Sequence, residues 1–207
     1  MAMTNPERFI EKNYGNAEFI RQQLGFEWED LKGKRILDIG ASDGIFEKVA
    51  KNNGVEVIAL DYDPYNVQLR EKLGIRGVPI PSWSRDIEYI QGRANALPFQ
   101  DESFDFVISH AAPPTILVDS KEEIASIIKE VERILKKGGE FRFGSLGIVS
   151  YAFDDRELFT EGEEARFGVE ERTRRILDKS LELLQSIDPS ITAHENQDGE
   201  SYYSLIK

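Results

Sequence analysis

Residues 36–46 read ILDIGASDGIF, an apolar strand that runs into an acid, a turn of small residues and the start of a helix. In a turn of this kind, backbone N–H groups and the N-terminus of the helix can approach a ligand closely. The segment therefore predicts a cofactor site at the end of a β-strand, before any catalytic group is considered.

The spacing of the small residues argues against one class of cofactor. A dinucleotide-binding turn carries glycine at its first, third and sixth positions, whereas here those positions hold Gly40, Ser42 and Ile45. Asp38, two residues ahead of the first glycine, does not belong to that pattern either. NAD is therefore a disfavoured cofactor for this chain.

The composition of the 207 residues fits one soluble domain. The sequence contains no long apolar run and no basic-then-apolar leader, so we expect neither a membrane span nor a signal peptide. The lack of cysteine removes disulfides and thiolate catalysis, and it agrees with a cytoplasmic location. A net charge of −12, from 26 basic and 38 acidic residues, repels phosphate backbones, so nucleic acid is not an expected partner.

Apolar runs that alternate with helical patterns predict a parallel, doubly wound α/β sheet with helices on both faces. The predicted strands are Lys34–Ile39, Val55–Leu60, Phe104–Ser109 and Glu140–Ser145. The predicted helices are Asp43–Asn53, one that follows residues 61–64 and ends near Gly74, and Lys121–Lys137. Ser120 and Glu123 form a capping-box pair at the start of the second helix, and Gly138-Gly139 is expected to end it. Ligands of such sheets bind at the carboxyl ends of the strands.

The C-terminal part of the chain predicts a helix over Val169–Ile187 and an antiparallel hairpin formed by Ser190–Glu195 and Ser201–Ile206. Residues 1–33 are mostly helical in pattern, and the segments 75–88 and 146–168 are longer than simple connections need to be. We expect these three variable segments to recognise the substrate, with the N-terminal one folding over the site as a lid.

Two residues that follow the second predicted strand have the chemistry of a nucleoside site. Asp61 lies 21 residues after Gly40, and its carboxylate can accept two hydrogen bonds from a ribose diol. Tyr62 can offer its ring to an adenine base. The alternatives are a turn-forming or helix-capping role for Asp61 and a core-packing role for Tyr62.

A third signature is the run GRANALPFQDESFDFVIS at residues 92–109, followed by KKGG at 136–139. With the segment 36–46, these motifs resemble those of class I S-adenosylmethionine-dependent methyltransferases of the methyltransferase domain 11-like, small-molecule type. The resemblance covers residues 34–145. It implies a Rossmann-like, mostly parallel seven-stranded sheet closed by a C-terminal antiparallel hairpin, with a helical lid at 1–33, the methyltransferase domain at 34–207 and a variable loop at 146–168.

The resemblance also implies the residues that hold S-adenosylmethionine. Asp38 would orient the ammonium end of the cofactor, although a structural acid satisfied by backbone N–H groups is an alternative. The other cofactor-binding residues that it implies are Gly40, Ala41, Ser42, Gly44, Asp61, Tyr62, Ala94, Asn95 and Ser109. Ser42 stands where relatives have glycine, which we expect to require a negative φ at residue 42.

Arg93 is the main departure from the family pattern. In relatives an aspartate at this place accepts a hydrogen bond from the adenine amino group, whereas a guanidinium has donors only. One hypothesis is that the backbone N–H of Ala94 still meets the adenine ring while Asn95, or a group of an inserted loop, supplies the missing acceptor. The alternative is that Arg93 points to solvent and that shape alone holds the adenine.

The residue that assists methyl transfer is harder to predict, because the reaction needs little beyond alignment and exclusion of water. His110 directly follows the predicted strand Phe104–Ser109 and is the best candidate for a general base, although a histidine that only hydrogen-bonds the loop is an alternative. His194 is expected to be structural, and no metal-ligand spacing is present. Four aromatic residues could line an acceptor pocket, namely Tyr14, Trp83, Tyr151 and Phe153.

The expected function is methylation of a small molecule. Two other functions stay open: methylation of a protein, which an acidic surface permits if the target is basic, and a non-catalytic role in binding the cofactor or a partner.

Overall fold

The computed structural model describes residues 17–42, 44–62, 87–114, 118, 120–144, 169–196 and 201–207. These residues form one seven-stranded sheet in the order β3-β2-β1-β4-β5-β7-β6. The strands are β1 (Ile36–Ile39), β2 (Val57–Asp61), β3 (Tyr89–Gln91), β4 (Phe104–His110), β5 (Leu135–Gly144), β6 (Thr192–Glu195) and β7 (Ser201–Ile206). The first five strands are parallel, and β7 runs antiparallel to both β5 and β6. The predicted doubly wound sheet with a C-terminal hairpin is confirmed.

Five helices flank the sheet among the described residues. They are α1 (residues 17–23), α2 (Trp28–Leu31), α3 (Ile45–Asn52), α4 (Lys121–Ile134) and α5 (Val169–Ile187). The Ser120 side chain accepts a hydrogen bond of 3.1 Å from the backbone N–H of Glu123, so the predicted cap of α4 is present. None of the helices in the described ranges is long and apolar enough to cross a membrane.

Side chains of β1 alternate between two apolar clusters, one on each face of the sheet. Leu37 and Ile39 pack against α4 and α5, whereas Ile36 packs on the opposite face against α1, α2 and α3. Asp38 has the same parity as Ile36 and therefore faces α3. An acid is thus built into the α3 face of the central strand at the point where the strand ends.

The predicted end of α4 is wrong. The helix stops at Ile134, and Leu135 is already extended, with φ −68° and ψ 138°. Leu135 is fully buried and pairs with Phe104 of β4, while the Lys136 ammonium lies 2.8 Å from a carboxylate oxygen of Asp105. Burial of Leu135 and the ion pair of Lys136 place residues 135–139 in β5 instead of α4. The helical periodicity of the sequence could not indicate these contacts.

The sequence pattern does not predict strand β3, because its three residues are too few to give a period. The expected helix after Asp61 and nearly all of the segment 75–88 lie outside the described residues, as do the segment 146–168 and residues 1–16.

The N-terminal helices belong to the core in their described part. Phe26 and Trp28 are 3 % and 7 % exposed and pack edge-on or tilted against Phe46. Gly25, with φ +64°, makes the turn between α1 and α2, and Arg142 of β5 donates a 3.0 Å hydrogen bond to the Leu24 carbonyl at this turn. The turn also lies against Tyr202 of the C-terminal hairpin.

We expect Gly25→Ala to destabilise the fold by roughly 2–4 kcal/mol, because the new Cβ combines a left-handed backbone with steric overlap. It would lie 2.7 Å from the Tyr202 ring. Gly33→Ala is the matched control, since Gly33 also has φ +73° but has no atom within 4 Å of an added Cβ. It should cost only about 1 kcal/mol. Urea unfolding of both variants measures the difference, and equal losses would contradict a packed contact at this turn.

Candidate functional site

The turn after β1 is tied to the end of β2. The backbone N–H groups of Gly40 and Ala41 both donate to the Leu60 carbonyl, at 2.7 and 3.2 Å, and the Gly44 N–H donates to the Ala41 carbonyl at 2.9 Å. These bonds fold residues 40–44 across the carboxyl edge of the sheet and start α3 there. The turn predicted from residues 36–46 therefore lies at the edge where ligands of such sheets bind.

Gly40 and Gly44 are required by the backbone and by their neighbours. Their φ angles are +85° and +75°. A Cβ on Gly40 would lie 2.2 Å from the Cβ of Ala112, and a Cβ on Gly44 would lie 2.8 Å from Cδ1 of Ile87. The chain thus packs closely against the turn from both sides, so a side chain at either position would displace the structure that surrounds the site.

The expected negative φ at Ser42 is wrong, because this residue has φ +52°. Two hydrogen bonds hold it in the left-handed region. Its N–H donates to Asp61 Oδ2 at 2.8 Å, and its carbonyl oxygen accepts from the hydroxyl of Tyr89. Partners on β2 and β3 therefore hold a backbone conformation that ordinarily favours glycine.

Asp61 ends β2 and is half-buried. One of its carboxylate oxygens accepts the Ser42 N–H, so the residue holds the turn after β1, a structural role that the sequence did not predict. A carboxylate has about four lone-pair sites. The same group can therefore hold the turn and still accept hydrogen bonds from a ribose diol.

Asp38 is a buried acid, 6 % exposed, directly behind the turn. Burial, opposed by a hydrogen bond with the Glu47 carboxyl group and reinforced by the charge of Asp61, raises the pKa of Asp38 to about 7. Glu47 lies on α3 and is 3 % exposed. A hydrogen bond between two carboxyl groups requires a proton on one of them, because an ionised carboxylate only accepts.

Glu47 was not predicted as a site residue, although the sequence contains a pattern that points to it. It stands three residues before Ala50 and one after Phe46, within the buried stripe of α3. An acid at such a position needs a partner inside the fold, and Asp38 is that partner.

Tyr62 and Arg93 stack on each other beyond the end of β2. The guanidinium carbon of Arg93 is 4.3 Å from the centre of the Tyr62 ring, and the ring is 50 % exposed. The Ala96 N–H donates to the Arg93 carbonyl at 3.1 Å, which makes residues 93–96 a turn that buries Ala94 and half-buries Asn95. Arg93 is thus held over the tyrosine by a cation–π contact, although its side chain remains accessible to solvent.

His110 ends β4, the neighbour of β1 in the sheet. Burial lowers the pKa of its imidazole below the ordinary value, so the ring is neutral at pH 7. Its Nε2 atom is hydrogen-bonded to Oε1 of Gln23 on α1, and the half-exposed ring of Phe19 lies edge-on to it, with centroids 6.1 Å apart. The structure therefore brings α1 to the strand end that the sequence singled out.

Ser109 is fully buried, and its hydroxyl donates to the Pro113 carbonyl at 2.7 Å. Its side chain thus holds the loop that follows β4, and only its main chain remains for a ligand. His194 lies on the outermost strand β6, where its Nε2 atom contacts the hydroxyl of Ser204 at 2.8 Å. The four aromatic residues expected in the acceptor pocket lie outside the described part of the chain.

The groups at this edge suit a cationic nucleoside. A buried acid lies behind the turn, a carboxylate ends β2, and an aromatic ring follows it. Within the described ranges, no group of three or more metal-ligating side chains is found. The donor set thus fits S-adenosylmethionine, which carries an ammonium, a sulfonium, a ribose diol and an adenine.

Comparison with known proteins agrees with this interpretation. The chain is 32 % identical over 110 residues to a demethylmenaquinone methyltransferase from Renibacterium salmoninarum, a match covering 53 % of this chain and 40 % of that protein. It is 31 % identical over 116 residues to a ribosomal RNA large subunit methyltransferase E from a Wolbachia strain, covering 53 % of this chain and 48 % of the relative. The chain therefore spans less than half the length of each of these curated relatives.

A solved structure extends the likeness of fold to the whole chain. It is that of a candidate S-adenosyl-L-methionine-dependent methyltransferase from Methanococcus maripaludis, with a TM-score of 0.57 and 15 % identity, covering 100 % of this chain and 97 % of the other. The family model described as "Methyltransferase domain" matches residues 37–143, just over half of the sequence. The chain therefore belongs to this family of class I methyltransferases, whose cofactor is S-adenosyl-L-methionine.

Proposed function

We propose that this protein transfers the methyl group of S-adenosylmethionine to a small molecule, with His110 as the general base. The observation that supports the proposal is the position of His110 and the groups that lie around it. A neutral, half-buried imidazole lies at the end of β4, beside the strand that bears the cofactor turn and beside the exposed ring of Phe19. A neutral imidazole can accept a proton, and the phenyl ring gives an apolar surface for an acceptor molecule.

Each end of the cofactor has candidate partners. Asp38 would hold the ammonium group, the N–H groups of the turn would face the amino-acid part, and Asp61 would accept the ribose hydroxyls. Tyr62 would stack on the adenine, the N–H of Ala94 would meet the adenine edge, and Asn95 would supply the acceptor that Arg93 lacks.

When bound, S-adenosylmethionine supplies an electrophilic methyl group on a sulfonium. His110 takes the proton that an O–H or N–H acceptor loses as it is methylated, and it later releases this proton to solvent. The remaining requirement is alignment and exclusion of water, which the packing of α1 against the strand end supports.

The net charge of the protein bears on which class of molecule accepts the methyl group. One relative is named for a quinone substrate and another for ribosomal RNA. A chain with net charge −12 repels RNA phosphates, which favours a small apolar acceptor over a nucleic acid.

The direct test uses S-adenosylmethionine with a labelled methyl group and a cell extract divided into metabolite, protein and RNA fractions. We expect the protein to transfer label into the metabolite fraction only. Label in the protein or RNA fraction would assign a different acceptor class. Cofactor binding without transfer to any fraction would support a non-catalytic role.

We expect Asp38→Asn to stabilise the protein without cofactor and to weaken cofactor binding. The folded pKa of Asp38, about 7, lies above its unfolded value of 3.8. The folded state therefore binds more protons between these values, so the wild type loses stability as the pH rises from 4 to 8. The asparagine side chain does not ionise, which should leave the variant more stable by on the order of 2 kcal/mol at pH 8.

Thermal unfolding from pH 5 to 8 measures the first effect, and calorimetric titration with the cofactor measures the second, an expected loss of about tenfold or more. Asp178→Asn, a change at an exposed aspartate of α5, is the control and should alter neither quantity. Unchanged cofactor affinity in Asp38→Asn would show that Asp38 is a structural acid only.

We expect His110→Ala to lower the turnover number by roughly 10²-fold while leaving cofactor affinity nearly unchanged, because the ring acts on the acceptor side. His194→Ala is the matched control, since it removes the other histidine from the far edge of the sheet. Steady-state kinetics with the acceptor found by labelling gives the readout. Full activity of His110→Ala would refute the role of the base.

A further inference from the structure

Helix α1 contacts the ring of His110 at two points. Gln23 bonds to the Nε2 atom through its amide oxygen, and Phe19, one helical turn earlier, meets the same ring edge-on at an interplanar angle of 83°. The helix is anchored to the core by Ala17 and by Leu24, which directly follows the helix, and both are fully buried. Two side chains on one rigid helix thus fix the imidazole from the side away from its own strand.

The hydrogen bond to Gln23 indicates which ring nitrogen carries the proton. An amide oxygen only accepts, so a neutral imidazole bonded to it must carry its single hydrogen on Nε2. Nδ1 then holds the only lone pair that can receive a proton. The hydrogen-bond partner of a histidine sets its tautomer in this way in many sites.

Charged groups on the neighbouring elements are engaged elsewhere. On α1, Arg21 pairs with Glu18 and Glu27, and on β5, Arg142 pairs with Glu140. The β5 residue opposite His110 is Gly144, which has no side chain. Burial is therefore the main influence on the ring, and it keeps the ring uncharged near pH 7.

We infer that Gln23 is a positioning residue that holds His110 as the Nε2–H tautomer, so that Nδ1 receives the proton of the methyl acceptor. The inference rests on the proposed function. It also narrows the substrate, because a base is useful only for an acceptor atom that loses a proton, as in a hydroxyl, an N–H group, a thiol or an activated C–H group. A tertiary amine or a thioether would gain nothing from it.

The tautomer can be measured without any acceptor. Long-range ¹H–¹⁵N correlation spectra of the full chain report which imidazole nitrogen is protonated, and a His194→Gln background leaves His110 as the only histidine. We expect the Nε2–H form in this background. In Gln23→Leu, we expect this preference to be lost and the two tautomers to mix. Gln22→Leu is the matched control, because Gln22 is the adjacent, exposed glutamine of α1, and it should leave the spectrum unchanged.

Gln23→Glu gives a second readout. A carboxylate on Nε2 favours the charged ring, so the pKa of His110 should rise by about one unit or more, and the acidic limb of the kcat profile should move to higher pH. Gln23→Leu should lower kcat about tenfold or more with little change in the cofactor Kd.

An Nδ1–H tautomer in the wild type would overturn the inference, because Gln23 would then donate its amide N–H to Nε2. A spectrum that does not change in Gln23→Leu would overturn it as well. If the spectra agree but His110→Ala retains full activity, the tautomer assignment stands and the catalytic role of His110 fails. The two ideas therefore fail separately.

Discussion

The hydrogen bond from the Ser42 N–H to the Asp61 carboxylate joins the turn after β1 to the end of β2, at the edge of the sheet where we propose that the cofactor binds. It fixes the left-handed conformation of Ser42, and with the bonds from Gly40 and Ala41 to the Leu60 carbonyl it sets where α3 begins. The carboxylate is therefore placed by the turn, and the turn is placed by the carboxylate. These bonds explain how a serine can occupy the position of the middle glycine of the motif. Glycine adopts a positive φ without help, whereas Ser42 is held there by partners on β2 and β3.

The same region contains two buried carboxyl groups whose proximity is electrostatically unfavourable, and a structural role alone does not explain why both are there. Asp38 and Glu47 are both buried, and burial raises the pKa of Asp38 so that the pair retains a proton near neutral pH. Buried acids reduce the stability of a folded chain unless they are compensated. A cationic ligand would provide that compensation, because its ammonium group can replace the proton. The acids are then unfavourable in the empty protein and favourable in the complex, which is typical of functional sites.

The sheet and the position of the cofactor turn could be predicted because they depend on local patterns, namely apolar runs, an acid and small residues at fixed spacing. Strand β3 and the end of α4 could not, because three residues give no period and because Leu135 and Lys136 are drawn into the sheet by distant partners on β4. The roles of Gln23 and Glu47 depend on tertiary contacts across 87 residues of chain and across one strand–helix interface. Such pairs leave at most a weak trace in the sequence, as with Glu47 on the apolar stripe of α3.

Helix α1 has one side that packs in the core and another that contacts His110. Ala17 and Leu24, the residue that follows the helix, fix the helix on the sheet, while Phe19 and Gln23 lie four residues apart on the side that meets His110. A site on a packed helix keeps its geometry more closely than one on a loop. On the proposed function, a change at Phe19 would alter acceptor recognition without disturbing the turn after β1, because that turn is held by β1, β2 and α3. Cofactor binding and acceptor choice would then depend on different elements of one fold.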